Sequence, residues 1–129
     1  MKPRIAILIS GGGSNMVSLI NAIKYNKINA LPAIVISNNS NAAGLEKAAD
    51  LGIPTRYIDH RKFSGNREAF EKRLHNLLQD EKIDIICLAG FMRILTKSFI
   101  DQWNNKILNI HPSLLPKYKG LNTHQRAID

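Results

Sequence analysis

One cysteine in 129 residues rules out an internal disulfide, and with it the small cross-linked scaffolds. Long hydrophobic runs are missing too: stretches such as Ile5–Ile9 and Ile83–Ala89 fall far short of the about 18 residues that a membrane helix needs. Met1-Lys2-Pro3-Arg4 is basic, but the apolar run behind it is too short for a signal-peptide core and no small-residue cleavage site follows. Aromatics are scarce, with four Phe, three Tyr and one Trp, so few platforms exist for stacking bases. Acidic residues are outnumbered 10 to 18, for a net charge of +8, yet residues 1–65 carry 8 basic and 3 acidic groups and residues 66–129 carry 10 and 7. The excess is spread along the chain, and zinc-finger spacing and RNA-binding signatures are absent. A surface suited to anionic small molecules is therefore preferred to a nucleic-acid interface. With 44% hydrophobic and 22% charged residues, the composition is that of an ordinary soluble globular protein. The expectation is one cytoplasmic domain over residues 1–129, with no membrane and no nucleic acid among its partners.

What is present alternates. Ile5–Ile9 is a β-branched-rich run that Ser10-Gly11-Gly12-Gly13-Ser14-Asn15 breaks, and Met16, Leu19, Ile20 and Ile23 then recur at helical spacing to a helix end near Tyr25. Pro32 opens a second apolar run, Ala33–Ile36. A helix from Ala42 to Leu51 stops at Gly52, where a C-cap belongs, ahead of Pro54. Thr55–Ile58 is a weaker strand nearer an edge. Arg67–Gln79 places Phe70, Leu74, Leu77 and Leu78 on one face of a helix. Ile83–Leu88 and Lys106–Ile110 are further strands. Early strands that are apolar on both faces, joined by helices, predict an α/β fold: a Rossmann-like, doubly wound, mostly parallel sheet with helices on both faces.

The Gly11–Asn15 stretch sits between the first strand and the first helix. Glycines let the backbone turn sharply and bring N–H groups to an anion, while the helix N-terminus adds its positive end. Ser14 and Asn15 can cap the helix or donate to phosphate oxygens. The dinucleotide fingerprint needs a third glycine where this chain has Met16, and an acid where strand two ends in Ser37-Asn38-Asn39. A Gly-Lys-Ser/Thr triplet is also missing, so a monophosphate fits best; the plain alternative is a tight turn without a ligand.

Asn109 and His111 lie two apart near a strand end and point to the same side, toward the crevice at the carboxyl edge of the sheet. An amide beside an imidazole suits a reaction that develops an oxyanion, with His111 carrying the proton and Asn109 binding the oxygen. A capping or packing histidine is the simpler alternative.

Asn109-Ile110-His111-Pro112-Ser113-Leu114-Leu115-Pro116 resembles the core motif of the folate-dependent formyltransferases. Ser10–Asn15 is similar to the phosphate loop of the members that act on glycinamide ribonucleotide in purine synthesis, and Phe91–Leu95 and Lys117–Gly120 match that branch too. The resemblance implies formyl transfer from 10-formyltetrahydrofolate to the substrate amine, without a metal. It places substrate contacts at Gly13, Ser14 and Asn15 and co-substrate contacts at Arg67, Met92, Arg93, Ile94, Leu95 and Asn109. His111 takes the role of general acid.

The match has gaps. The family's chains continue considerably further, through a carboxylate that pairs with the catalytic histidine, and Asp129 comes too early to match it. Asn122 stands where a histidine is often found. The sequence thus raises a C-terminally incomplete domain, either an inactive fragment that only binds the phosphorylated substrate or half of a split protein with a complementing C-terminal chain. A relative of the members that formylate methionyl-tRNA is a further alternative, against which the Gly11–Asn15 loop argues. Of the other candidates, Cys87 reads as a core residue, His60 and His75 as surface residues, and Asp59–Lys62 as a solvated turn. Phe91 and Trp103 read as packing residues, and His124 as either a folate-side or a helix-start residue.

Overall fold

In a computed structural model, which describes residues 2–63 and 65–110, five strands form one parallel sheet in the order β3-β2-β1-β4-β5. They are β1 (Arg4–Ile9), β2 (Leu31–Ser37), β3 (Thr55–Tyr57), β4 (Ile85–Leu88) and β5 (Ile107–Asn109). Helices α1 (Ser14–Lys24), α2 (Ala43–Asp50), α3 (Arg67–Asp80) and α4 (Lys97–Gln102) connect them. The doubly wound fold expected from the alternation is the one found.

Alternate residues of β1 face opposite layers, which explains why the strand is apolar throughout. Ile5, Ile7 and Ile9 join Met16, Leu19 and Ile20 of α1 and Ala48 of α2 in one core. Ala6 and Leu8 join Phe70, Leu74 and Leu78 of α3, with Phe99 and Trp103, in the other. The sheet is thus covered by α1 and α2 on one face and by α3 and α4 on the second. Pro32 lies inside β2 and has no N–H for the ladder; the register slips there, Ile5 pairing with Pro32 and Ala6 with Ile34, so that Ala33 is the extra residue.

Several boundaries move from their expected places, each for a local reason. The fourth strand begins at Ile85, because the Ile83 N–H closes the end of α3 on the Leu78 carbonyl and Asp84 exchanges bonds with Arg4. Helix α4 has no counterpart in the sequence reading, since six residues with a single buried side chain, Phe99, carry no period. Its start is fixed by Thr96, which accepts from the Phe99 N–H and donates its own N–H and hydroxyl to the buried Glu71 carboxylate. His75, expected at the surface, is half-buried: its Nδ1 accepts from Trp103 Nε1 at 3.0 Å, and its ring packs on a tryptophan that is both core and donor.

Cys87 lies in the core, and burial pushes its thiol up to about 12. Among the described residues no helix is long and apolar enough to cross a membrane.

Leu74 is 1% exposed and sits between α3 and the sheet. Leu74→Ala is expected to lower the free energy of unfolding by about 2–5 kcal/mol, whereas Lys72→Ala on the exposed side should stay within about 0.5 kcal/mol. Urea titration of both variants checks this, and equal midpoints would contradict the packing described.

Candidate functional site

Strand order reverses between β1 and β4: the chain runs outward from β1 through β2 to β3, then returns to the other side of β1. Connections leaving the carboxyl ends of β1 and β4 therefore diverge, and a crevice opens between them. The Ser10–Gly13 turn occupies one wall. Ser10, Gly11, Gly12, Gly13, Ser14 and Asn15 surround a concavity of about 260 Å³, and Ala89, Gly90 and Met92 close it from the β4 side.

Backbone conformation sets the shape of this loop. Gly13 is the N-cap of α1 at φ 76°, in the left-handed region that glycine adopts without strain. Neither Ser14 nor Asn15 caps the helix, which corrects one of the two roles expected for them. The first hydrogen bond of α1 runs from the Val17 N–H to the Gly13 carbonyl at 2.9 Å, so the N–H groups of residues 14–16 precede the intrahelical ladder. Those donors and the positive end of an 11-residue helix are aimed at the crevice.

The loop is held from behind by α2. The Gly44 N–H donates to the Gly11 carbonyl at 2.9 Å. A Cβ on Gly44 would stand 2.6 Å from Ile9 Cδ1, 3.0 Å from the Gly11 oxygen and 3.1 Å from Gly13 Cα, so only glycine allows this approach. Sequence reasoning did not single out Gly44, although a glycine inside a predicted helix, costing about 1 kcal/mol against alanine, was a usable signal of close packing.

Two polar side chains, also missed, tie the neighbouring loops together. Ser10 Oγ donates to Asn38 Oδ1 at 2.6 Å and accepts the Met92 N–H at 2.7 Å, which joins the connections after β1, β2 and β4. Asn38 is buried. His60, expected at the surface, lies half-buried with Nδ1 2.9 Å from the Asn38 carbonyl and 3.2 Å from Asn38 Nδ2. Asp59–Lys62 is the expected solvated turn at Arg61 and Lys62, which are exposed, but not at Asp59. Asp59 is buried and is gripped by Arg61, whose Nε and Nη2 donate to its two oxygens at 3.0 and 2.9 Å. Those side-chain bonds, with the Arg61 N–H and the guanidinium charge, hold the Asp59 carboxyl at about 2.

The expected site residues divide by position. Gly13, Ser14, Asn15 and Met92 line the concavity together. Arg67 is exposed at the first position of α3, one turn before Glu71 and on the same face, and Glu71 fastens Thr96 at the end of the 92–95 segment. Within that segment Met92 and Ile94 are 79% and 75% exposed, Arg93 is half-buried, and Leu95 packs against the core beneath α3 and α4. Asn109 is exposed at the carboxyl end of β5. It pairs with Leu88, which pairs with Leu8, two residues before Ser10. Leu8 and Asn109 thus stand on one row of the sheet two strand spacings apart, about 10 Å, and the Ser10–Gly13 turn begins two residues beyond Leu8 at the same carboxyl edge. His111, His124, Asn122 and Asp129 lie outside the described residues. Among the described residues no three His, Cys, Asp or Glu side chains converge to hold a metal ion.

An all-parallel sheet whose switch point carries a helix-capping glycine turn defines a domain of the doubly wound α/β class. The comparisons narrow this: the formyl transferase family model matches residues 3–129, and the chain belongs to that family. It is 50% identical over 128 residues to the human trifunctional purine biosynthetic protein adenosine-3, an alignment covering 99% of this chain and 13% of that one. It is 45% identical over 125 residues to phosphoribosylglycinamide formyltransferase of Escherichia coli strain K12, covering 97% of this chain and 58% of the relative. The crystal structure of phosphoribosylglycinamide formyltransferase from Brucella melitensis superposes with a TM-score of 0.81 at 46% identity, over 100% of this chain and 67% of that one. The chain therefore spans little more than half the length of the bacterial curated relative, and a small part of the trifunctional one.

Asp59 supplies a pH test of the clamp behind the loop. Its folded value lies below the ordinary carboxylate value of about 3.9, so its stabilisation is complete above that value, is lost as pH falls toward about 2, and is gone below it. Asp59→Asn should lower the urea midpoint by a constant amount from pH 7 down to about pH 4, with the gap closing between about pH 4 and 2. A gap that persists at the lowest pH would assign the loss to packing. Gly44→Ala should displace the Gly11–Gly13 turn, costing about 1–3 kcal/mol of stability, and weaken binding of a phosphate-bearing ligand in calorimetry by more than Ala49→Gly on the exposed side of α2.

Proposed function

We propose that this chain takes part in transfer of a formyl group from 10-formyltetrahydrofolate to the amine of glycinamide ribonucleotide, in purine synthesis. The observation that carries the reading is the shared carboxyl edge of the sheet: the glycine turn after β1 and Asn109 at the end of β5, with β4 between them. A phosphoribosyl group with a glycinamide arm can lie along this edge. Its phosphate rests on Gly13, Ser14 and Asn15, and its amine reaches the Asn109 end of the crevice. Family membership and the names of the relatives support the same reading.

The folate lies along Arg67 and the Met92–Leu95 segment, an exposed apolar surface beside the crevice, with Asn109 shared between co-substrate and chemistry. The amine attacks the formyl carbon, the formyl oxygen gathers negative charge, and the Asn109 amide donates to it. His111 delivers a proton to the departing folate nitrogen while the new amide nitrogen gives one up. Removing an oxyanion donor typically costs about 10²–10³ in rate, so Asn109→Ala should lower kcat by that order.

A second reading rests on length. The alignment covers 58% of the bacterial relative, and the activity these 129 residues carry by themselves is binding of the phosphorylated substrate. Domain extent over residues 1–129 is part of this proposal. Calorimetric titration with glycinamide ribonucleotide, followed by an assay with 10-formyltetrahydrofolate, separates the two. Binding with turnover supports the first reading and binding without turnover the second; no binding by the folded chain overturns both.

A further inference from the structure

Residues 90–95 form neither helix nor strand, and among the described residues the hydrogen bond that fastens them is the one from the Met92 N–H to Ser10 Oγ. That same hydroxyl donates to Asn38 Oδ1. A serine hydroxyl has one hydrogen, so its donation to Asn38 aims a lone pair at Met92. Asn38 is in turn fixed by its surroundings: it is 4% exposed, its N–H approaches the Ile9 carbonyl, its own carbonyl receives the His60 N–H, and His60 Nδ1 lies within 3.2 Å of both its carbonyl and its Nδ2. The proposed co-substrate surface therefore hangs from a rigid group that is also the first residue of the glycine loop.

We propose that Ser10 and Asn38 are positioning residues that couple the glycine loop to the 90–95 segment, so that a phosphorylated ligand on the loop orders the surface beside it. This rests on the functional reading above and adds to it a direction of communication between the two binding surfaces. A ligand that settles on the N–H groups of residues 13–15 restrains the Ser10–Gly13 turn. Restraint of Ser10 carries to Met92 through a bond of 2.7 Å, with no change in the sheet itself. Asn38 does not line the concavity, so its effect on a ligand passes through Ser10.

The test follows backbone amide exchange by NMR in the full chain, with glycinamide ribonucleotide as the probe. In the unsubstituted protein, saturation should slow exchange at Met92 by about 5- to 10-fold, the worth of one hydrogen bond made firm, together with changes at Gly13, Ser14 and Asn15. Asn38→Ala should keep the response at residues 13–15 and lose it at Met92. Ser10→Thr, which retains a hydroxyl, should keep both. Should Asn38→Ala fail to fold, Ser10→Ala and the unsubstituted chain decide. A loop that responds while Met92 does not, in the unsubstituted chain, overturns the coupling and leaves the functional reading intact. A Met92 response that survives in Asn38→Ala or Ser10→Ala also overturns it. Silence at residues 13–15 overturns the functional reading, and the coupling falls with it.

Discussion

Everything at the carboxyl edge of this sheet depends on two backbones meeting with no side chain between them. The turn after β1 can lie flat over the start of α2 because Gly44 and Gly13 are both glycine, and a methyl group on Gly44 would already collide with Ile9 and the Gly11 carbonyl. The contact is made by the Gly44 N–H on the Gly11 carbonyl, so the turn is held through its oxygen while its own N–H groups stay turned to the crevice. Hydrophobic burial alone would not give this polarity. It sets the layers, whereas the glycine contact decides which face of the loop a ligand meets.

Electrostatics then works through fixed dipoles more than through net charge. The surplus of basic residues is spread along the chain, and among the described residues neither Lys nor Arg lines the concavity. Attraction for an anion comes from the amides at the start of α1. Behind them, Asp59, Arg61, His60 and Asn38 form a chain of charge-assisted and neutral hydrogen bonds that joins the 3-10 turn at His60–Phe63 to the end of β2. Asp59 keeps its charge because Arg61 grips both oxygens, so this buried group strengthens the support of the loop.

Much of this was legible in the sequence because it is periodic. α1 and α3 repeat their apolar residues at a spacing of about 3.6, β1 is a short run apolar on both faces, and Gly52 and Pro54 mark the end of α2. β3 read correctly as an edge strand from its polar character. Helix α4 did not, since Phe99 alone is buried and a period needs at least two contacts. The site divides the same way. The glycine turn could be read because its chemistry is contiguous, whereas Ser10 reaches Asn38 across 28 residues and Met92 across 82, and such pairings become visible only once the strands are ordered. His60 and His75 were misjudged for the same reason, each finding its partner on another element.

The order of strands also explains how substrate binding and chemistry can be assigned to different parts of one edge. β1 carries the anion turn; β4, its neighbour, carries the exposed Met92–Leu95 segment; β5, the outermost strand among the described residues, carries Asn109. Separation along this edge is set by the spacing of hydrogen-bonded strands, about 4.8 Å each, which side-chain substitutions barely alter. The sheet therefore acts as a ruler between the place where an anion is held and the place where an amide is offered. The segment lying across that gap is held at its end by Leu95 in the core and Thr96 on Glu71, and near its start by the Ser10 hydroxyl on the Met92 N–H.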